Sequence, residues 1–280
     1  MIALSWELFG DAILTGVLLS ALLPLLGAIL VLRHQIFLAA AIAQSGNLGI
    51  AVGIALGLGG HAHGSDVHGH ATETVLGLLF AAATGALAMR ALTAAASSLE
   101  ARAVWTFLFA SSAALLLLND APHGRQEIQR LMLSSLLGAS RADVAIAAAL
   151  LALSVAAFGW RRRALLLWAT DPESAAAYGH RTAVWDLVVG GWIGIAIGFA
   201  IHSSGLPFAF GGAVLPVLFA RAVTRTLRGT LLVAPLFGAA SFGVAFVAGD
   251  RLDLPPGQCT VALQAIAAAA ARLRPPSRRT

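Results

Sequence analysis

Twice the chain runs for more than thirty residues without a formal charge: residues 34–65 and 187–220 contain no Asp, Glu, Lys or Arg. A bilayer core about 30 Å thick is crossed by roughly 20 apolar residues in helical form, so each run exceeds a single crossing. A water-exposed surface cannot be assembled from such a chain. Charged residues make up 11% of the 280, hydrophobic ones 59%, and the mean hydropathy is +0.84, whereas soluble domains carry about 25% charged residues. The net charge of +5 therefore does not signal a nucleic-acid partner. A single cysteine, Cys259, rules out a disulfide framework and any multi-cysteine metal cluster.

The sequence predicts an all-α polytopic bundle of about nine spans, near residues 12–32, 37–59, 74–92, 103–119, 142–160, 184–202, 207–220, 230–249 and 258–272. Membrane strands are excluded because the Ala/Leu/Val runs show no alternation of period two. The first basic residue is Arg33, so the N-terminus lacks the basic start of a cleavable signal and the first span is expected to be permanent. All eighteen basic residues are Arg. With sides assigned alternately, fourteen fall on one set of loops, while Arg125, Arg130, Arg141 and Arg251 fall on the other. The side rich in Arg is the cytoplasmic one, which predicts a multi-pass protein with its N-terminus outside and its C-terminus inside. No linker divides the chain, so residues 1–280 read as one transmembrane domain, with 273–280 as a frayed tail.

Three regions could carry chemistry. In the cytoplasmic loop 161–182, Asp171 suits a helix N-cap, Pro172 the first helical position and Gly179 a left-handed stop, giving two turns from Pro172 to Tyr178. Such a knob fits either a docking element for a cytoplasmic partner or a plain capped connector. The outer loop 60–73 carries His61, His63, Asp66, His68 and His70. Two His-x-His pairs are metal-binding chemistry, but their glycine-rich setting fits a loose cation-gathering loop or a solvated connector better than a rigid site. In the second span, Gln44, Ser45 and Asn47 are polar at mid-membrane. Gln44 and Asn47 share a helix face, and that face lines a watery path or bonds to a neighbouring helix. His202, beside Ser203 and Ser204, lines the outer entrance or is structural.

Absences narrow the class. The chain has no Gly-x-x-x-x-Gly-Lys-Ser/Thr loop for ATP and no recognisable nucleophile motif. Asp186 is the one acid near a span interior, which disfavours a proton-driven carrier.

Several segments resemble, in order, the permeases of zinc- and manganese-type metal ABC transporters. Leu165 to Gly179 looks like the family's coupling loop, and Leu137 to Asp143 like the segment before its fifth span. Ser204-Gly205-Leu206, Val214-Leu215-Pro216 and Ala220-Arg221 resemble its glycine-to-proline helix and the basic turn after it. Leu252 to Gly257 resembles the signature before its last helix, and Gly27 to Arg33 the end of its first. The resemblance covers roughly residues 12–272.

It implies a homodimer in the lipid bilayer, working with cytoplasmic ABC ATPase subunits and an extracytoplasmic metal-binding protein. Divalent metal would be cargo, no cofactor would be covalently bound, and ATP would be hydrolysed on a partner chain. Asp171, Pro172, Glu173, Ala176, Ala177 and Gly179 would couple to the ATPase, with Gln44, Ser45, Asn47 and His202 along the path. The chain departs from the family where an Asp, a His and a Pro are usual: Ala40, Gln44 and Leu48 stand there. An amide is a poor zinc ligand. A metal chelate or small organic cargo is thus an alternative to the free ion, and a proton-coupled carrier or membrane scaffold an alternative of another class.

Overall fold

The structure is a computed structural model, which describes residues 2–57, 67–90, 96–119 and 136–273. Among these residues it is all-helical, with no strand. The helices are α1 (Ile2–Leu32), α2 (Ile36–Ala55), α3 (Val67–Arg90), α4 (Ala96–Asn119), α5 (Arg141–Thr170), α6 (Pro172–Ala177), α7 (Thr182–Ser204), α8 (Leu206–Val223), α9 (Leu227–Leu252) and α10 (Pro256–Leu273). A 3₁₀ turn, Leu136–Gly138, precedes α5.

Each expected span overlaps one of these helices, and those at 37–59 and 74–92 extend beyond the described residues. Among the described residues seven helices qualify by length and composition to cross a membrane: Phe9–Leu32, Ile36–Ala55, Glu100–Asn119, Arg141–Thr170, Thr182–Ser204, Leu206–Val223 and Leu227–Leu252. Thr74–Arg90 is apolar but shorter.

Two expected loops are partly helical. Helix α3 begins at Val67, so the second half of the outer loop 60–73 is helix. Once a helix is nucleated, each added residue needs one hydrogen bond and fixes one residue, so even a Gly/His-rich turn can extend it. Helix α5 likewise continues past the apolar stretch to Thr170, bending at Arg161 (φ −108°, ψ 21°) two residues after Gly159. The extension is amphipathic: Leu165, Trp168 and Ala169 are buried while Arg161, Arg162 and Arg163 are exposed, the i, i+3, i+4 pattern of a packed helix.

Local chemistry sets the helix ends. At the start of α5 the Ser140 backbone N–H and hydroxyl both donate to Asp143 Oδ2, at 2.8 and 2.9 Å, a reciprocal cap of the first turn. Gly205 (φ 82°, ψ 167°) is the single residue between α7 and α8. That backbone conformation is open to glycine alone.

By contact the chain divides into two compact units. The first comprises Met1–Val31, Ser135–Ala156 and Pro207–Thr280. Here helices meet at single close points. A Cβ on Gly27 of α1 would lie 1.9 Å from the Ala213 carbonyl oxygen of α8, and one on Gly238 of α9 would lie 2.1 Å from that of Ser20. Aromatic rings fill the rest: Phe242 is fully buried, edge-on to Phe208 with centroids 6.0 Å apart, and Phe219 stacks on Phe237. Gln264 Nε2 of α10 donates to Ser241 Oγ of α9 at 2.8 Å.

The second unit comprises Leu32–Ser134 and Ala157–Leu206. Its centre is α2, 83% of whose apolar window is buried, against 22% for α4; α4 leaves Trp105, Leu108 and Leu116 exposed. Helices α3 and α7 run antiparallel along a seam of small residues. A Cβ on Gly85 would lie 2.1 Å from the Gly190 carbonyl oxygen, and one on Gly194 would lie 2.3 Å from that of Ala81. Gly198 faces Leu78 and Ala81 farther along. Small residues at every fourth position let backbones approach this closely, which is how membrane helices associate without a hydrophobic drive.

Candidate functional site

The segment Asp171 to Gly179 is built by its own residues. Asp171 Oδ1 accepts the Ser174 backbone N–H at 3.0 Å, and its Oδ2 accepts the Ser174 hydroxyl. Those hydrogen bonds hold the exposed Asp171 carboxyl below the usual carboxylate range. Pro172 opens the helix, where its missing N–H costs nothing. At the other end Gly179 adopts φ 81°. Its N–H donates to Ala176 O at 2.9 Å and that of His180 to Ala175 O at 3.1 Å, the paired bonds of a Schellman stop. The helix is Pro172–Ala177 with Tyr178 as its C-cap, one residue shorter than the sequence suggests, because Tyr178 has already left helical geometry. Ala175 is fully buried, whereas Pro172, Glu173, Ala176, Ala177 and Tyr178 are exposed. One small residue anchors the element and the opposite face is presented outward.

The segment before this helix is locked by a cluster that sequence reading did not assemble. Asp186, in the first turns of α7, accepts two donors on Oδ1: Arg33 Nη1 at 2.8 Å and Trp168 Nε1 at 3.0 Å. The Arg33 guanidinium sits 4.1 Å from the Trp168 ring centroid, within cation–π range. Arg33 and Asp186 side chains are 4% and 8% exposed, and Trp168 is fully buried. Arg33 Nη1 also approaches Met89 Sδ of α3 at 3.9 Å. A buried carboxylate needs such pairing, since an uncompensated buried charge is strongly destabilising. The sequence signal was present but incomplete: Asp186 stood out as an acid near a span, and nothing named its partner.

Gln44, Ser45 and Asn47 are all buried in α2. Asn47 Nδ2 donates to Gln44 Oε1 at 3.4 Å, and Asn47 Oδ1 is buried without a hydrogen-bond partner. Beside them, the open side of Gly46 faces Gly77 and Ala81 of α3 and Ile201 of α7. His202, one residue on, is half-buried with Nδ1 3.4 Å from Thr74 Oγ1. A cleft of about 330 Å³ among α2, α3 and α4 is lined by residues including Gln35, Phe37, Leu38, Leu87, Arg102 and Trp105. None of Gln44, Ser45, Asn47 or His202 lines it. His61, His63 and Asp66 lie outside the described residues, as does the tail from 274. His68 and His70 belong to the first turn of α3. Among the described residues no three His, Cys, Asp or Glu side chains gather as a metal site.

Comparison with known proteins places this architecture. No curated protein sequence matches the chain. Among solved structures it is similar to PsaBC from Streptococcus pneumoniae in complex with Fab, with a TM-score of 0.76, 17% identity and coverage of 97% of this chain and 95% of that one. It is also similar to a structure described as an inward-facing conformation of a metal-chelate type ABC transporter, with a TM-score of 0.70, 18% identity and coverage of 95% and 87%. At such identities the likeness shows the fold. Residues 5–274 match the ABC 3 transport family. The chain therefore belongs to that family, the permeases of metal ABC transporters, and is a multi-pass membrane transport subunit rather than an enzyme.

Proposed function

We propose that the chain forms the membrane half of an importer that moves divalent metal ions, zinc first and manganese next, across a bacterial inner membrane. Two copies would surround a central path, joined by two cytoplasmic ATPase subunits and supplied by an extracytoplasmic metal-binding protein. Each copy would cross nine times, N-terminus outside, with the Arg-rich loops facing the cytoplasm. The supporting observation is the capped helix Pro172–Ala177, whose outward face of Glu173, Ala176 and Ala177 is small enough to enter a groove on the ATPase. Gln44, Ser45 and Asn47 supply amide and hydroxyl oxygens, and His202 an imidazole, for an ion that cannot enter a low-dielectric medium bare. Ligands of this kind hold weakly enough to let go, as conduction requires. His61, His63, Asp66, His68 and His70 would gather cations before entry. Metal is cargo in this scheme, not a resident cofactor.

The test is Ala176→Arg, which adds a long charged side chain to the docking face without touching the bundle. Membrane insertion should be unchanged, while zinc-ion uptake by the assembled complex falls about tenfold or more relative to ATP hydrolysed. Normal uptake would overturn the coupling role.

Ala40, Gln44 and Leu48, standing where the family usually has Asp, His and Pro, favour a second reading in which cargo is a metal chelate. The similarity to a structure described as metal-chelate type supports it as well. Uptake of zinc, manganese and a chelated metal by the same complex separates the two.

A further inference from the structure

We propose that Arg33, Trp168 and Asp186 form the positioning element through which displacement of the Pro172–Ala177 helix is carried into α7; this rests on the coupling role proposed above. Donors from two separate segments converge on one carboxylate oxygen of α7. Arg33 follows α1, Trp168 lies three residues before the cap Asp171, and Asp186 is one helical turn before Gly190. Both donors bind Asp186 Oδ1, at 2.8 and 3.0 Å, and the guanidinium packs on the indole at 4.1 Å, so each member fixes the other two. The short Asp171 junction leaves little slack between Trp168 and the small helix, because the Asp171 N–H still donates to Leu167 O at 2.8 Å.

Beyond Asp186, α7 is equally stiff. Gly190 and Gly194 press directly on the backbone of α3 at Gly85 and Ala81. Backbone packed on backbone cannot absorb a shift by turning a side chain. A displacement entering at Asp186 therefore reaches α3 and, across Gly46, the helix that holds Gln44 and Asn47. Contiguity alone does not establish coupling; a change in uptake per ATP when the cluster is altered does.

Trp168→Phe keeps an aromatic ring but loses the N–H donor; Asp186→Asn keeps the acceptor oxygen but loses the charge. Each is assembled with the ATPase in proteoliposomes. Uptake per ATP hydrolysed is then measured with whichever of zinc, manganese or a chelated metal the unaltered complex carries. The expected result is normal co-purification of the ATPase, continued ATP hydrolysis, and a fall of about tenfold in uptake per ATP. If Trp168→Phe and Asp186→Asn both leave the ratio unchanged while Ala176→Arg lowers it, the positioning role is wrong and the coupling helix stands. If Ala176→Arg also leaves it unchanged, the coupling reading fails first. Loss of the folded protein in Asp186→Asn shifts the decision to Trp168→Phe, whose unchanged ratio would by itself overturn the proposal.

Discussion

The two units bury polar groups in an apolar bundle by different means. In the first, the polar core is neutral: Ser154 donates to Leu150 O and Thr260 to Pro256 O, both at 2.7 Å, while the Thr15 and Ser20 hydroxyls are buried without a partner. Its inter-helix bond between Gln264 and Ser241 is uncharged. In the second, Arg33 and Asp186 form a buried ion pair between distant segments. The units also differ in how glycine is used. The first has single points of approach among aromatic rings, whereas the second has a continuous seam from Gly85–Gly190 through Ala81–Gly194 to Gly198. The charged tie and the backbone seam thus both belong to the second unit.

This contrast can be broken most directly at its polar centres. Asp186→Ala leaves Arg33 buried and uncompensated and should cost about 3–5 kcal/mol. Gln264→Ala removes one neutral bond and should cost about 1–2 kcal/mol. Thermal unfolding of both in detergent measures the gap; equal costs would mean that the ion pair is not the stronger constraint.

A smaller difference is expected at the glycines. Gly85→Ala puts a methyl against the Gly190 carbonyl, while Gly16→Ala meets the Phe242 ring at 2.0 Å. Rings can shift where backbone cannot, so about 3 kcal/mol is expected for the first and about 1 kcal/mol for the second, the span seen for overpacking. The same unfolding assay reads both. A reversed order would show that the seam yields.

The smallest effect concerns pH and the exposed Asp171. Ser174 hydrogen bonds depress the Asp171 carboxyl in the folded state. A depressed carboxyl contributes fully above its unfolded value and loses that contribution only as pH falls through the lower folded one. The ratio of uptake per ATP in the parent to that in Asp171→Asn should thus stay constant from pH 8 down to about pH 5, above the ordinary Asp range. Asp171→Asn, which keeps an acceptor but cannot titrate, should follow the same profile there. A fall in the parent but not in Asp171→Asn within that window would contradict the capped geometry.

Local signals were legible. Apolar runs marked each helix, because desolvation and backbone hydrogen bonding act on contiguous residues. Asp171, Pro172 and Gly179 announced a short helix, because caps act within one turn. The ordered motifs from Gly27 to Gly257 pointed to the family, and residues 5–274 match it. What misled was composition without context. Val67 to Glu73 and Arg161 to Thr170 looked like loop for their His, Gly and Arg content, yet adjoining helices propagate through both. The spacing of Gly190, Gly194 and Gly198 was visible in the chain, but not the helix it would meet.

By itself, then, the sequence determined that this protein lives in a bilayer, where the apolar cores of its helices lie, and how the Pro172–Ala177 element is capped. Each of these depends on neighbours within a few residues or on charge scarcity along one segment. The tertiary structure decided which buried charge pairs with which, and which helices touch backbone to backbone. Arg33 and Asp186 are separated by 153 residues, and no local pattern encodes a partner that only folding brings within 2.8 Å.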